Sequence, residues 1–246
     1  MSPPHLTVGV SLKMYFTHAQ TSSYIRTILP LGAHALTRAH PVDLFIVPDF
    51  LSLSAASTLL RLEAPNIKLG AQDCFWEDDG AFTGEVSPRV LKEIGCQMVE
   101  LGHAERRRMF GETDEHVARK AQAAERNGLI PLVCIGEVVR GSAQDVLRAC
   151  KRQIYAVLEA TKGEIIFAYE PVWAIGQSEP AGAGYVVDAV KALRGVCGER
   201  KVRFLYGGSA GPGTFEAMRG AVDGLFLGRF AHDPERLREV ITEVGM

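Results

Sequence analysis

The chain has 246 residues, 47% of them hydrophobic, and a formal net charge of -2 at pH 7. That apolar content is enough for a large core in one or two domains, and the near-balanced charge excludes a general attraction to nucleic acid or anionic membrane. Five scattered cysteines without a Cys-x-x-Cys pair argue against a disulfide framework or a structural zinc. No run approaches the roughly twenty apolar residues of a membrane span. The opening Met1-Ser-Pro-Pro-His-Leu6 lacks a basic region followed by an apolar one, so a cytoplasmic location is expected.

Taken in order, short apolar runs alternate with longer amphipathic stretches. The strand-like runs are Val8–Leu12, Leu44–Val47, Lys68–Ala71, Met98–Leu101, Pro131–Ile135, Ile165–Tyr169, Val202–Tyr206 and Gly224–Leu227. Helical patterns lie between them at 17–38, 50–62, 87–94, 113–127, 143–161, 182–197, 212–220 and 233–243. Strict alternation predicts a parallel sheet with right-handed crossovers, and eight repeats can close it into a barrel. An open doubly wound sheet is the competitor, but no Gly-x-Gly-x-x-Gly follows the first strand. The expected fold is therefore α/β, a single-domain (β/α)8 barrel of the TIM type over residues 1–246.

A barrel of this kind carries its chemistry at the C-terminal ends of its strands, with phosphate after strands seven and eight. The polar residues at those ends are Ser11-Leu-Lys13, Glu100-Leu-Gly-His103-Ala-Glu105, Glu170, Gly207-Gly208-Ser209 and Gly228-Arg229. Pro171 holds the residue before it extended, which fixes Glu170 at its strand end. The apolar Val172–Ile175 segment behind it suggests a lid that expels water; a helix-capping Glu170 with a core Trp173 is the alternative. Lys13 is a solvated or ion-paired lysine, an anion holder, or, against the pull of nearby carboxylates, a Schiff-base amine. His103 is a structural hydrogen-bonding group or a neutral electrophile at a helix N-terminus. No second ligand stands at metal spacing from it. Gly207-Gly208-Ser209 and Gly228 allow backbone N–H groups to approach a phosphate, while Arg106-Arg107-Arg108 reads as a solvated helix face.

Assembled, these segments closely resemble the triosephosphate isomerase family over nearly the whole length. The likeness rests on Val99-Glu-Leu-Gly-His-Ala-Glu-Arg-Arg107, Phe110-Gly-Glu112, Gly128–Glu137, Ala168-Tyr-Glu-Pro-Val-Trp-Ala-Ile-Gly176, Leu205-Tyr-Gly-Gly-Ser209 and Gly80–Pro88. It implies that Glu170 is the base, neutral His103 the electrophile and Lys13 the cation that stabilises an enediolate; the pairing of a carboxylate base with a neutral histidine is this family's known arrangement. It also implies a phosphate held by Gly176, Gly208, Ser209 and Gly228, and a lid at 171–181 hinged at Trp173 with Glu137 as its partner; apart from the resemblance, Glu105 on a neighbouring strand end is placed to pair with Lys13 and keep it extended. Neither a metal nor an organic cofactor is implied. The expected partners are a small phosphorylated sugar and a second copy of the chain, the latter through the loop Gln72–Glu85, where Phe75 and Trp76 are available to bury.

Departures from the family pattern bear on the substrate. The usual Asn at strand one is Ser11, the usual Ser after the histidine is Ala104, the lid tip is Gln177-Ser-Glu-Pro180, and the usual Gly-Gly at strand eight is Gly228-Arg229. The first expectation is interconversion of glyceraldehyde 3-phosphate and dihydroxyacetone phosphate, with a place in glycolysis and gluconeogenesis. The Gly-Arg ending also resembles bacterial paralogues that isomerise erythrulose phosphates, which makes a tetrulose-phosphate isomerase the second reading. A non-catalytic sugar-phosphate binder is the third.

Overall fold

The structure is a computed structural model and describes residues 6–176 and 181–246. Eight parallel strands close into a barrel in sequence order, β1 to β8, with β1 paired to both β2 and β8. They are β1 (Leu6–Ser11), β2 (Val42–Val47), β3 (Ile67–Ala71), β4 (Met98–Leu101), β5 (Ile130–Ile135), β6 (Ile165–Tyr169), β7 (Val202–Gly208) and β8 (Gly224–Leu227). Around them lie the helices α1 (His18–Leu36), α2 (Leu53–Glu63), α3 (Pro88–Glu93), α4 (Ala104–Phe110), α5 (Asp114–Arg126), α6 (Ala143–Ala160), α7 (Ala183–Cys197) and α8 (Pro234–Val244). The single-domain (β/α)8 barrel expected from the alternation is the observed fold.

Side chains alternate across each strand, and the two faces feed two different cores. One face, with Val8, Val10, Leu44, Ile46, Val99, Phe167 and Tyr206, packs outward against the helices. The other fills the barrel interior with Phe45, Val47, Met98, Leu132, Cys134, Ile166, Ala168, Leu205 and Phe226. Gly9 belongs to the inner face of β1, and a Cβ there would lie 1.9 Å from the Phe45 ring. The aromatic ring takes the space that a β1 side chain would have used.

One crossover differs from expectation. The pattern at 212–220 predicts an α-helix, but between β7 and β8 only a short 3-10 turn forms, Glu216–Met218. Gly213 and Gly220 bracket it with φ of 83° and 81°, left-handed conformations that end a right-handed helix. The segment keeps its apolar contacts, with Phe215 and Met218 buried, but does not propagate. In contrast, α4 is a helix of its own directly after β4, started by His103 at its N-cap.

The inner-face alternation also locates the site. One step beyond the apolar interior, at the C-terminal rim, the same parity brings up Ser11, Glu100, Gly136, Glu170, Gly207 and Gly228. The barrel thus changes within one residue pair per strand from apolar filling to carboxylates, a hydroxyl and bare backbone.

Candidate active site

Glu170 follows β6 and remains in register, its N–H donating to the Ile135 carbonyl at 2.8 Å. Two glycines make room for it. A Cβ at Gly207 would lie 2.5 Å from Glu170 Cγ, and one at Gly136 would lie 1.9 Å from the Glu170 carbonyl oxygen. Gly207 therefore serves the carboxylate, whereas its neighbour Gly208, with φ of 107°, faces the site as backbone. Glu170 is buried, and its Oε2 has no hydrogen-bond partner among the described residues. A buried acceptor left open in this way is costly unless a ligand completes it.

His103 Nε2 lies 3.5 Å from that oxygen. The other ring nitrogen, Nδ1, accepts the backbone N–H of Glu105 at 3.1 Å, in the first turn of α4. Nδ1 must be unprotonated to accept, so the ring is the neutral tautomer with its proton on Nε2, aimed at the cavity.

Lys13 lies just past β1 and is the only described non-glycine residue with positive φ, 48°. Its carbonyl accepts from Gln72 Nε2 at 2.8 Å, and its ammonium is 2.8 Å from Glu105 Oε1. An outlier held from both ends is what a positioned cation requires. Burial alone would lower the Lys13 pKa, but the bond to Glu105 and the charges of Glu170, Glu105 and Glu100 outweigh it and raise it. Lys13 is thus held as an ammonium, which removes the Schiff-base option. For Glu105, burial would raise the pKa, but its bond to Lys13 and the nearby positive charges leave it lowered.

Opposite these groups, glycine backbone faces the same cavity. Gly176 has φ of 77°, and neither it nor Gly228 has any atom within 4 Å of where a Cβ would stand. Ser209 Oγ donates to the Ala174 carbonyl at 3.5 Å. Arg229 is exposed at the rim, its guanidinium 5.7 Å from the Tyr15 ring centre. Ser11, Lys13, His103, Glu105, Glu170, Gly176, Gly208, Ser209, Gly228 and Arg229 all border one open cavity of about 1090 Å³. Among the described residues no cluster of His, Cys, Asp and Glu is placed to hold a metal ion.

The sequence model of the family described as triosephosphate isomerase matches residues 6–244. The chain belongs to the triosephosphate isomerase family. It is 47% identical to an L-erythrulose-1-phosphate isomerase of Pectobacterium atrosepticum, over 99% of this chain and 97% of that protein. It is 41% identical to proteins of the same name from Rhizobium etli, over 97% and 92% of the two chains, and from Rhizobium meliloti, over 100% and 99%. Membership and these relatives make the protein an isomerase of the aldose–ketose class acting on a small sugar phosphate, so the non-catalytic reading is set aside. They also correct the first expectation. Triose phosphates are not the substrates that its relatives are named for, and the glycolytic placement falls with them.

Two further parts of this family member lie behind the rim. Glu137 is buried and accepts from Trp173 Nε1 at 2.8 Å, Tyr185 OH at 2.7 Å and Tyr169 OH at 3.1 Å. This ties the segment after Glu170 to α7 and β6 through one carboxylate; neither Glu137 nor Trp173 borders the cavity. The expected lid tip, 177–180, with its Pro180, lies outside the described residues. The arginine run is not merely solvated, as Arg106 Nε is 2.8 Å from Asp73 Oδ2 and Arg107 donates to the Gly102 carbonyl at 2.7 Å.

Glu100 stands among the rim residues named from the sequence but receives no role there. It is inward-facing on β4, buried, and its Oε2 accepts from Ser11 Oγ at 3.0 Å. Burial pushes its carboxyl up to about 7; the charge of Glu170 adds to this, while His103, Lys13 and the Ser11 hydroxyl oppose it. The signal was available in the alternation. In Met98-Val-Glu-Leu101 the glutamate shares the parity of Met98, which faces the barrel interior.

Proposed function

We propose that this protein is an L-erythrulose-1-phosphate isomerase that moves a carbonyl along a four-carbon phosphorylated chain by proton transfer. The observation that carries the reading is the shared name of relatives aligned over nearly their full length at 47% and 41% identity. The site supports it with an unpartnered buried carboxylate 3.5 Å from a neutral histidine.

The substrate's structure dictates the steps. In erythrulose 1-phosphate the C2 carbonyl has the phosphorylated carbon on one side and the C3 carbinol on the other. Only C3 carries a hydroxyl that can become a carbonyl. Glu170 removes the C3 proton, its electron pair forms the C2–C3 double bond, and the C2 oxygen becomes an enediolate. Lys13 stabilises that charge, and Nε2–H of His103 donates to the oxygen. Glu170 then returns its proton to C2, while His103 gives its Nε2 proton to O2 and takes the O3 proton in its place, leaving the carbonyl at C3. The result is a ketose-to-ketose version of the family's chemistry. Because the proton and electron pair stay within the substrate, no redox cofactor is required. The glycine backbones at 176, 208 and 228 with Ser209 cradle the phosphate. Residues 171–181 act as the lid, hinged at Trp173 and held by Glu137, and Arg229 adds a cation at the mouth.

We propose further that the protein is a cytoplasmic homodimer. Supporting the dimer, Met14, Phe82, Met109 and Phe110 are exposed around the loop 72–85. Phe75 and Trp76 are instead half-buried within their own chain, their rings tilted against each other with centres 4.2 Å apart, with Arg119 4.3 Å over the Trp76 ring. Steady-state kinetics on one preparation with L-erythrulose 1-phosphate and with dihydroxyacetone phosphate test the substrate. A kcat/KM higher for the tetrulose phosphate is expected; turnover of the triose phosphate alone would refute the reading.

A further inference from the structure

Glu100 has no part in the chemistry just described, yet it is a buried carboxyl bordering the same cavity. Its bond to Ser11 is unusual in its path. Strands β1 and β4 are not neighbours in the barrel, since β2 and β3 stand between them, so the 3.0 Å contact runs through the interior. It closes the floor of the cavity with two oxygen-bearing side chains where the layer below is apolar, Met98 and Cys134 among it. A glutamate there is a burden to the fold unless it meets hydrogen-bond donors.

The cavity also has a direction. The bare backbones of β7 and β8 and of Gly176 form one wall, and β4 stands four strands from β8 on the other side. A chain with its phosphate on the first wall and its carbonyl at His103 and Lys13 points its far end toward β4. Measured against a triose phosphate, the tetrulose phosphate carries one addition, a hydroxymethyl group on the carbon that Glu170 deprotonates. That group is the far end.

We propose that Glu100, together with Ser11, binds the terminal C4 hydroxyl and so selects a four-carbon over a three-carbon substrate, an inference resting on the tetrulose-phosphate reading above. Glu100 has the capacity to do so. A carboxylate offers about four acceptor directions, and the described contacts use one for Ser11 at 3.0 Å and a weak one for Cys134 Sγ at 3.9 Å. Ser11 can accept from the same hydroxyl while donating to Glu100. A three-carbon substrate brings no donor to this place. Sites built around such a hydroxyl discriminate strongly, because the missing group leaves a buried polar atom unpaired.

The test is the ratio of kcat/KM for L-erythrulose 1-phosphate to that for dihydroxyacetone phosphate, in the wild-type protein, Glu100→Val, Glu100→Gln and Ser11→Ala. Where triose turnover is too slow to follow, its Ki against tetrulose turnover replaces it. Glu100→Val is expected to lower the ratio by about 10²-fold or more. Ser11→Ala should lower it less, and Glu100→Gln, which keeps an acceptor oxygen of the same reach, should recover part of the loss. Equal losses on both substrates, or a ratio unmoved in all three folded variants, would overturn the role of Glu100 and leave the function standing. A wild-type protein inactive on the tetrulose phosphate would remove the function itself and this role with it. Circular dichroism on each variant separates these results from misfolding, and should Glu100→Val not fold, the ratio in Glu100→Gln and Ser11→Ala decides.

Discussion

Replacing Glu100 by Gln should change how the stability of the protein depends on pH, and the structure gives both sign and size. In the folded state the carboxyl is displaced from its ordinary 4.5 to about 7, chiefly by burial. Below pH 4.5 it is protonated in both the folded and unfolded states, so ionisation does not affect stability. Between 4.5 and about 7 the unfolded chain releases the proton while the fold retains it, which favours unfolding progressively. Above about 7 both states are ionised and the full penalty is in place. At about 1.4 kcal/mol for each tenfold change in proton affinity, the displacement corresponds to about 3 kcal/mol. Glutamine has the same shape and no proton to lose. The variant should match the wild type near pH 4, exceed it by under about 1 kcal/mol at pH 5 and by about 3 kcal/mol at pH 8.5, roughly 6–12 °C in Tm for a chain of this size. Asp73, displaced to about 6 mainly by burial, titrates in the same window, but it is present in both proteins and cancels in the difference. Urea unfolding or thermal melts at half-unit steps between pH 5 and 8.5 give the measurement. A difference that is flat with pH, or one that shrinks as pH rises, would refute the reasoning.

Glu170→Gln should reduce kcat by about 10²–10⁴ with little change in KM, as loss of a general base does; steady-state assays check it, and an unaltered kcat excludes Glu170 as the base. Gly207→Ala places a methyl 2.5 Å from Glu170 Cγ, so the carboxylate must shift by about an ångström. A fall of about 10²-fold in kcat is expected from such misplacement, with a far-ultraviolet spectrum like the wild type. Tyr185→Phe removes one of the three donors to Glu137, at a cost of about 1.5–3 kcal/mol because the acceptor is charged; equal stability by urea titration would show that the bond contributes nothing. Lys13→Met removes the ammonium and keeps an unbranched side chain one atom shorter, and a fall in kcat/KM of at least about 10²-fold is expected if the ammonium stabilises the enediolate.

Much of this could be read before any coordinates, for physical reasons that differ by residue. Ile165–Tyr169 followed by Glu-Pro identified a buried strand and a fixed carboxylate, because proline restricts the residue before it wherever it occurs. The 212–220 segment misled because its apolar residues do pack inward; helix periodicity measures burial, and two left-handed glycines decided the backbone. Gly207 looked like part of a phosphate loop in Gly207-Gly208-Ser209. Only geometry separates the glycine that clears Glu170 from the one facing the cavity. Glu100 was placed at the rim but left without a role, being on a short strand next to a more conspicuous histidine. The tautomer of His103 depends on one backbone N–H two residues ahead, a contact that no spacing rule specifies.

The residues bordering the cavity come from both ends of the polypeptide, with Ser11 and Lys13 at the first strand and Gly228 directly after the last, and the ring is sealed only when β1 meets β8. A nascent chain still on the ribosome therefore holds an incomplete set, and so does any fragment that lacks either terminus. Recovery of turnover after dilution from denaturant would then report the final docking event, not the early collapse.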